Sequence, residues 1–276
     1  MRRYGIVPHC VLLIALIGGV PSISERLLTF ARIESALEMQ VALPRSLLVT
    51  MAGGDRYLAA NVAVFRALLV STDKMRQEDY VVLAKVQEDA SWLNPAHEDN
   101  YYIAAAVLPW NGHYEAVQTI LARAMKARPF DYQPAFYFAF NRLHFRKDAV
   151  GAAQALIDAA KHVPNIRNQL LLESMAARWL SQNDDLDVSI DVIRTMIETS
   201  RFKGMREYLH ERLQRLETLR SLRQAAIGYV EKYGQPAKTI ADLVRFGGGT
   251  QPVFEPAGMQ YMINSDGLPI LIARPN

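Results

Sequence analysis

The chain has 276 residues, half of them hydrophobic and 21% charged, with 31 Lys plus Arg against 28 Asp plus Glu. A formal net charge of +3, with no dense Lys/Arg stripe, is too small for a protein whose affinity comes from neutralising phosphates, which excludes a nucleic-acid partner. The single cysteine, Cys10, leaves the body without a thiol for disulfides, zinc or nucleophilic attack, and Cys-x-x-Cys and His-Glu-x-x-His spacings are missing.

Arg2 and Arg3 precede an uncharged stretch over residues 4–24, almost wholly aliphatic from 11 to 17. Its 21 residues are close to the roughly 20 that cross a bilayer as a helix, although Pro8, His9 and Gly18-Gly19 weaken it. Three readings stay open: an uncleaved membrane anchor, a signal segment cleaved near Ser22-Ile23-Ser24, and a buried helix. In the first two, the positive-inside bias keeps Arg2 and Arg3 in the cytoplasm and carries the body across the membrane. His9 is a poor fit to the small residue that a lipid-modified Cys10 would need before it.

Residues 26–46 place Leu27, Phe30, Ile33, Leu37 and Val41 three or four apart, the spacing of a helix leaving the membrane and ending near Pro44. Gly53-Gly54 break the chain, and Asp55 is placed to cap the next helix.

A period then emerges. Pro95, Pro129 and Pro164 are separated by steps of 34 and 35 residues. Inside the first step, Tyr101-x2-Ala104-Ala105-x2-Leu108 leads to a turn at Gly112 and Tyr114, then Val117-x3-Leu121, Ala124 and Pro129. The second repeats this as Phe136-x2-Ala139-Phe140-x2-Leu143, Ala152-x3-Leu156, Ala159 and Pro164. A looser third runs Leu172-x2-Met175-Ala176-x2-Trp179, a polar turn, then Val188-x3-Val192. Upstream, Leu83, Ala90 and Pro95 suit a second helix whose first helix matches poorly. Each unit reads as a helical hairpin in which small residues let the helices approach, and one hairpin cannot cover its own apolar seam, so neighbours must stack.

These residues resemble the tetratricopeptide repeat family, over roughly residues 79–199. The chain is also similar to a group of bacterial membrane-anchored tetratricopeptide proteins with an N-terminal anchor, a "GGDRYLAA"-type helix and a short tail. It departs from the family pattern where Ala105, Phe140 and Ala176 replace the first-helix glycine, and where Lys147-Asp148 replace a turn glycine. The resemblance implies an all-α fold: a right-handed α-solenoid of tetratricopeptide-like hairpins with an N-terminal membrane helix and a small C-terminal helix plus β-hairpin. Its segments are 1–24 (anchor or signal), 25–54 (juxtamembrane helix and linker), 55–200 (repeats), 201–235 (capping helix) and 236–276 (C-terminal helix and hairpin).

In the 201–235 helix, Leu209, Leu213, Leu216, Leu219 and Leu222 share one side, which suits a cap on the last repeat or a coiled-coil handle. Two strands follow, 260–263 and 269–273, around the hairpin turn Ser265-Asp266-Gly267. "YGQPAKTIADLV" and "EPAGMQYMINSDG" are similar to the C-terminal end of pseudopilin-like proteins.

Catalytic chemistry is not signalled. Gly247-Gly248-Gly249-Thr250 has neither the lysine nor the strand of a phosphate loop and reads as a helix end with a linker. His97, His113, His144, His162 and His210 are scattered, and no nucleophile elbow occurs. No catalytic residue, metal, cofactor or small-molecule substrate is therefore expected.

In the family the first helix of each unit lines the concave face, and the resemblance makes Tyr102, Tyr137, Asn141, His144 and Glu173 the groove candidates. Amphipathic rings with hydrogen-bonding tips suit a peptide segment. The lysine and asparagine clamp that holds a C-terminal carboxylate in some members is not reproduced. The expectation is a non-catalytic scaffold that binds a partner protein in the groove. It would be held at the bacterial inner membrane by a single pass with its body in the periplasm, or be released there after signal cleavage. The rival expectation is a structural or assembly subunit of a pilus-like or secretion apparatus that works through the C-terminal hairpin.

Overall fold

The computed structural model describes residues 41–70, 75–181, 183, 185–249 and 259–273; the anchor-like stretch and most of the following helix lie outside them. Among the described residues helices make up 73%, as 11 helices with one small two-stranded sheet, which is consistent with an all-α fold apart from that hairpin. No described helix is long and apolar enough to cross a membrane.

In chain order the helices are α1 (Arg45–Met51), α2 (Arg56–Leu68), α3 (Gln77–Leu93), α4 (Glu98–Val107), α5 (Tyr114–Ala127), α6 (Tyr132–Arg146), α7 (Ala149–Ala160), α8 (Ile166–Leu180), α9 (Leu186–Thr199), α10 (Lys203–Tyr233) and α11 (Ile240–Phe246). A 3-10 turn, Pro109–Asn111, extends α4. The strands β1 (Met259–Ile263) and β2 (Pro269–Ala273) pair antiparallel, Tyr261 opposite Leu271.

Helix starts are written by Asx caps. Asp55 accepts the backbone N–H groups of Tyr57 and Leu58 at 2.8 and 3.2 Å, after Gly53 and Gly54 turn through φ of +65° and +91°. Asp131 caps α6 through Gln133 N (3.0 Å), and Asn165 caps α8 through Arg167 N (2.9 Å), 34 residues later. Asp148 and Asp185 do the same for α7 and α9. Each such cap contributes about 1 kcal/mol, because it satisfies N–H groups that a helix start leaves without partners.

Successive helices pack on one another, and α2, α4, α6, α8 and α10 also form a chain of neighbours, each touching the next. The direction of these neighbours follows from side-chain pairs. Tyr102, early in α4, meets Tyr137, early in α6, while Trp110 beyond the end of α4 meets His144 and Phe145 at the end of α6. Ser174 O accepts from Tyr208 Oη at 3.4 Å, and Ser181 Oγ from Arg212 Nη1 at 3.0 Å. In both cases the contacts advance together along the two helices, so α4 and α6, and likewise α8 and α10, run parallel. Each returns through an intervening helix, which makes the consecutive elements hairpins.

The sequence separation of such pairs is nearly constant. Gln77–Asn111, Tyr101–Asp131, Arg123–Glu88, Arg123–Ser91, Arg128–Glu98, Tyr208–Ser174 and Arg212–Ser181, which join alternate helices or the turns flanking them, are hydrogen-bonded and lie 30 to 35 residues apart. That is one unit of the sequence period, and the weakly matching first hairpin is supplied by α2 and α3.

The core alternates small and large side chains. Ala104, Ala124, Ala139, Ala152 and Ala176 are fully buried, as are Tyr101, Leu121, Leu156 and Leu172. Burying one large aliphatic side chain contributes about 1.5–3 kcal/mol. Phe136 and Phe140 are partly buried and pack against the core beside fully buried Ala135 and Ala139, with Phe136 reaching the Trp179 ring on α8. The turn between α6 and α7 is made by Lys147 at φ +56°, where a glycine would enter the left-handed region without strain.

The leucine side of α10, with Leu209, Leu216, Leu219 and Leu222, is buried against the chain's own last hairpin and tail, which leaves it no face for a coiled-coil partner. The tail is tied down too. Tyr261 is buried with its hydroxyl on Arg215 O (3.2 Å), and Arg223 Nε donates to Pro269 O (3.3 Å). Asn264 shapes the hairpin turn by accepting from the N–H groups of Asp266 and Leu268, ahead of Gly267 at φ +78°. At the opposite end, the outer face of α2 leaves Leu58, Val62, Phe65 and Leu69 exposed.

Candidate functional site

The sequence period relates four side chains, Tyr102 on α4, Tyr137 on α6, Glu173 on α8 and Tyr208 on α10, spaced 35, 36 and 35 residues apart. Contacts confirm parts of this row. The Tyr102 and Tyr137 rings meet edge to face with centroids 5.9 Å apart. Tyr208 bonds to the carbonyl of Ser174, the residue after Glu173. Tyr102 is 55% exposed, whereas Tyr137 is half-buried, and that burial pushes its hydroxyl above the ordinary value.

A second set of rings runs along α6. The His144 ring stacks on Phe140 at 5.4 Å with planes 9° apart, and Trp110 closes on both His144 and Phe145 at 5.0 Å. Phe136 bridges to Tyr137 on its own helix and to Trp179 on α8. The rings therefore form one continuous belt from α4 across α6 to α8. Aromatic pairs in such offset and edge-on geometries add about 0.5–1.5 kcal/mol each beyond area burial.

Of the five expected groove residues, Tyr102, Tyr137 and His144 are brought together in this belt. Asn141 departs from the expectation. It is 1% exposed, and its Nδ2 has no hydrogen-bond acceptor among the described residues. Glu173 lies at the polar end of the row, half-buried, with Oε2 sealed from solvent and without a donor. Burial alone pushes its carboxyl above the usual range, and no cation among the described residues offsets this.

Trp110, Tyr208 and Arg212 were not foreseen. The Arg212 guanidinium lies 4.7 Å over the Tyr208 ring and reaches Ser181 Oγ, while its Nε is buried without a partner. The period would have found two of them, since Trp110 precedes His144 by 34 residues and Tyr208 follows Glu173 by 35.

On another part of the surface, α5, α6 and α7 enclose a cavity of about 380 Å³. Its walls are apolar at Ala122, Met125, Pro129, Ala135, Phe138 and Ala159, with Lys126, Asp131, Asp158 and His162 as its polar members. Asp131, Asp158 and His162 are already engaged within the chain. Asp131 takes Tyr101 Oη and Arg128 Nε, each at 3.0 Å. Burial would raise the Asp158 carboxyl, but hydrogen bonds from Lys161 and Gln154 outweigh it and hold it below its ordinary value. Among the described residues no three His, Cys, Asp or Glu side chains converge as a metal site.

No family model, curated protein or solved structure matches the chain.

Proposed function

We propose that the chain is a tetratricopeptide-type α-solenoid that binds an extended or helical segment of a partner protein along its first-helix face and performs no chemistry of its own. The observation that carries this reading is the belt of rings on parallel helices one sequence period apart, running from exposed Tyr102 through Tyr137 to His144. Stacked units with nearly constant spacing give a long, regular surface, and aromatic anchors with polar tips suit peptide recognition on it.

The body is held at the bacterial inner membrane, on the periplasmic side, by the segment that begins with Arg2 and Arg3. The exposed apolar face of α2 supports that placement, since it marks the end of the array nearest the anchor. The C-terminal hairpin carries less weight as a contact point, because Tyr261 is buried on α10.

Affinity capture from membranes with the full chain tests the reading. The double variant Tyr137→Ala, His144→Ala loses the partner, and a chain lacking residues 247–276 keeps it. Retention by the first and loss by the second would move the contact to the hairpin.

A further inference from the structure

The two faces of α2 are the reverse of those on a helix that meets water. Ala59, Ala60, Ala63 and Ala67 are buried, whereas Tyr57, Leu58, Val62, Phe65 and Leu68, with Leu69 at the C-cap, are exposed, Val62 to 54% and Phe65 to 62%. At 3.6 residues per turn these bulky side chains fall within about 140° of arc, shared only with Asn61. No other described helix exposes more than three large apolar side chains. An exposed apolar face of this kind marks a surface that something covers.

Charge and chain length indicate the occupant. α2 carries Arg56 and Arg66 and no carboxylate, and Asp55 before it is committed to capping the helix. Arg66 Nη2 donates to Val41 O at 2.8 Å, so the described chain begins against this helix. Residues 25–40 alone separate Val41 from the uncharged stretch over 4–24. Fully extended they span at most about 55 Å, and as a helix about 24 Å, which keeps α2 close to whatever holds that stretch.

We infer that the outer face of α2 lies in the interface of an anionic phospholipid bilayer, with Leu58, Val62 and Phe65 among the upper acyl-chain carbons. Arg66 at one edge of the face, and Arg56 drawn 4.8 Å over the Tyr57 ring at the other, meet the phosphates. The inference rests on the membrane placement above and adds the surface that touches lipid. Helices that lie in an interface combine an apolar face with basic residues at its edges, and each Arg near an anionic surface adds attraction.

The full chain, with Cys10→Ser and Val62→Cys carrying an environment-sensitive fluorophore, is reconstituted into liposomes of phosphatidylcholine and phosphatidylglycerol to test this. The label is expected to shift to the blue and to be quenched by lipids with a nitroxide high on the acyl chain. A label at Lys203→Cys, exposed at the other end of the array, is not quenched. Adding Phe65→Asp abolishes quenching at position 62 while the chain still floats with the liposomes and keeps its helical circular dichroism; phosphatidylcholine alone weakens it. A label at 62 that stays unshifted, or shifts without lipid quenching because residues 25–40 or a second copy cover it, overturns the inference and leaves the membrane placement standing. So does quenching that is equal at 203 or indifferent to phosphatidylglycerol. A full chain that does not float with the liposomes at all overturns the placement and the lipid face with it.

Discussion

The two ends of the first-helix face share one scaffold and differ in chemistry. At the α4–α6 end, Tyr102, Trp110, Tyr137 and His144 pack on one another, and the rings satisfy themselves. At the α8–α10 end, the positions of Tyr102 and Tyr137 carry Glu173 and Tyr208, and Glu173 Oε2 is buried without a partner, as Asn141 Nδ2 is on α6. The difference teaches where stability is held: rings that stack add to it, whereas a carboxylate oxygen sealed from solvent without a donor subtracts from it.

The comparison requires that the core beneath both ends be equivalent. Tyr101 on α4 and Leu172 on α8 hold the same place in their units and are both fully buried. Tyr101→Ala is expected to cost about 3–5 kcal/mol and Leu172→Ala about 2–5 kcal/mol, measured by urea denaturation of the full chain. A loss confined to one of them would mean that the units do not share a core.

At the surface the two ends should respond with opposite signs. Tyr137→Ala removes edge contacts with Tyr102 and Phe136 and is expected to destabilise by about 1–2 kcal/mol. Glu173→Gln is expected to stabilise at pH 7. The folded-state value of this carboxyl is raised above 4.5, so its favourable contribution is greatest at low pH and declines as pH rises from 4.5 through the raised value. Melting temperature followed upward from pH 4 checks this, since Glu173→Gln should flatten the decline. Destabilisation by both variants would erase the distinction between the ends.

The smallest effect lies in the turn between α6 and α7. Lys147→Gly relieves a left-handed backbone and is expected to stabilise by a few tenths to about 1 kcal/mol, the gain reduced by glycine's greater freedom in the unfolded chain. A loss instead would show that the Lys147 side chain does more for this turn than its backbone strain costs.

Much of this architecture was legible because the signals were local or periodic. Asp55 as a cap, the break at Gly53-Gly54, the end of α11 at Gly247 and the turn before Gly267 each depend on a few adjacent residues. The prolines at 95, 129 and 164 marked the unit length that the inter-helix hydrogen bonds repeat. What stayed hidden depends on how closely helices approach. Phe136 and Phe140 pack on the core but keep part of their rings in solvent, which their volume alone does not reveal. Asn141 was placed on the open face by its spacing alone, and packing buried it. Gln87 and Asn100, both buried at the α3–α4 junction, gave no sign of it, since a polar residue on an amphipathic helix reads as solvent-facing.

The central claim is that the partner lies on the ring-lined face between parallel first helices. A photo-crosslinking side chain placed at Tyr102 in the full chain, and in a second chain at His162 beside the α5–α7 cavity, tests it in the native membrane. The account predicts a partner adduct from position 102 and none from 162; adducts from 162 alone, or equally from both, would contradict it.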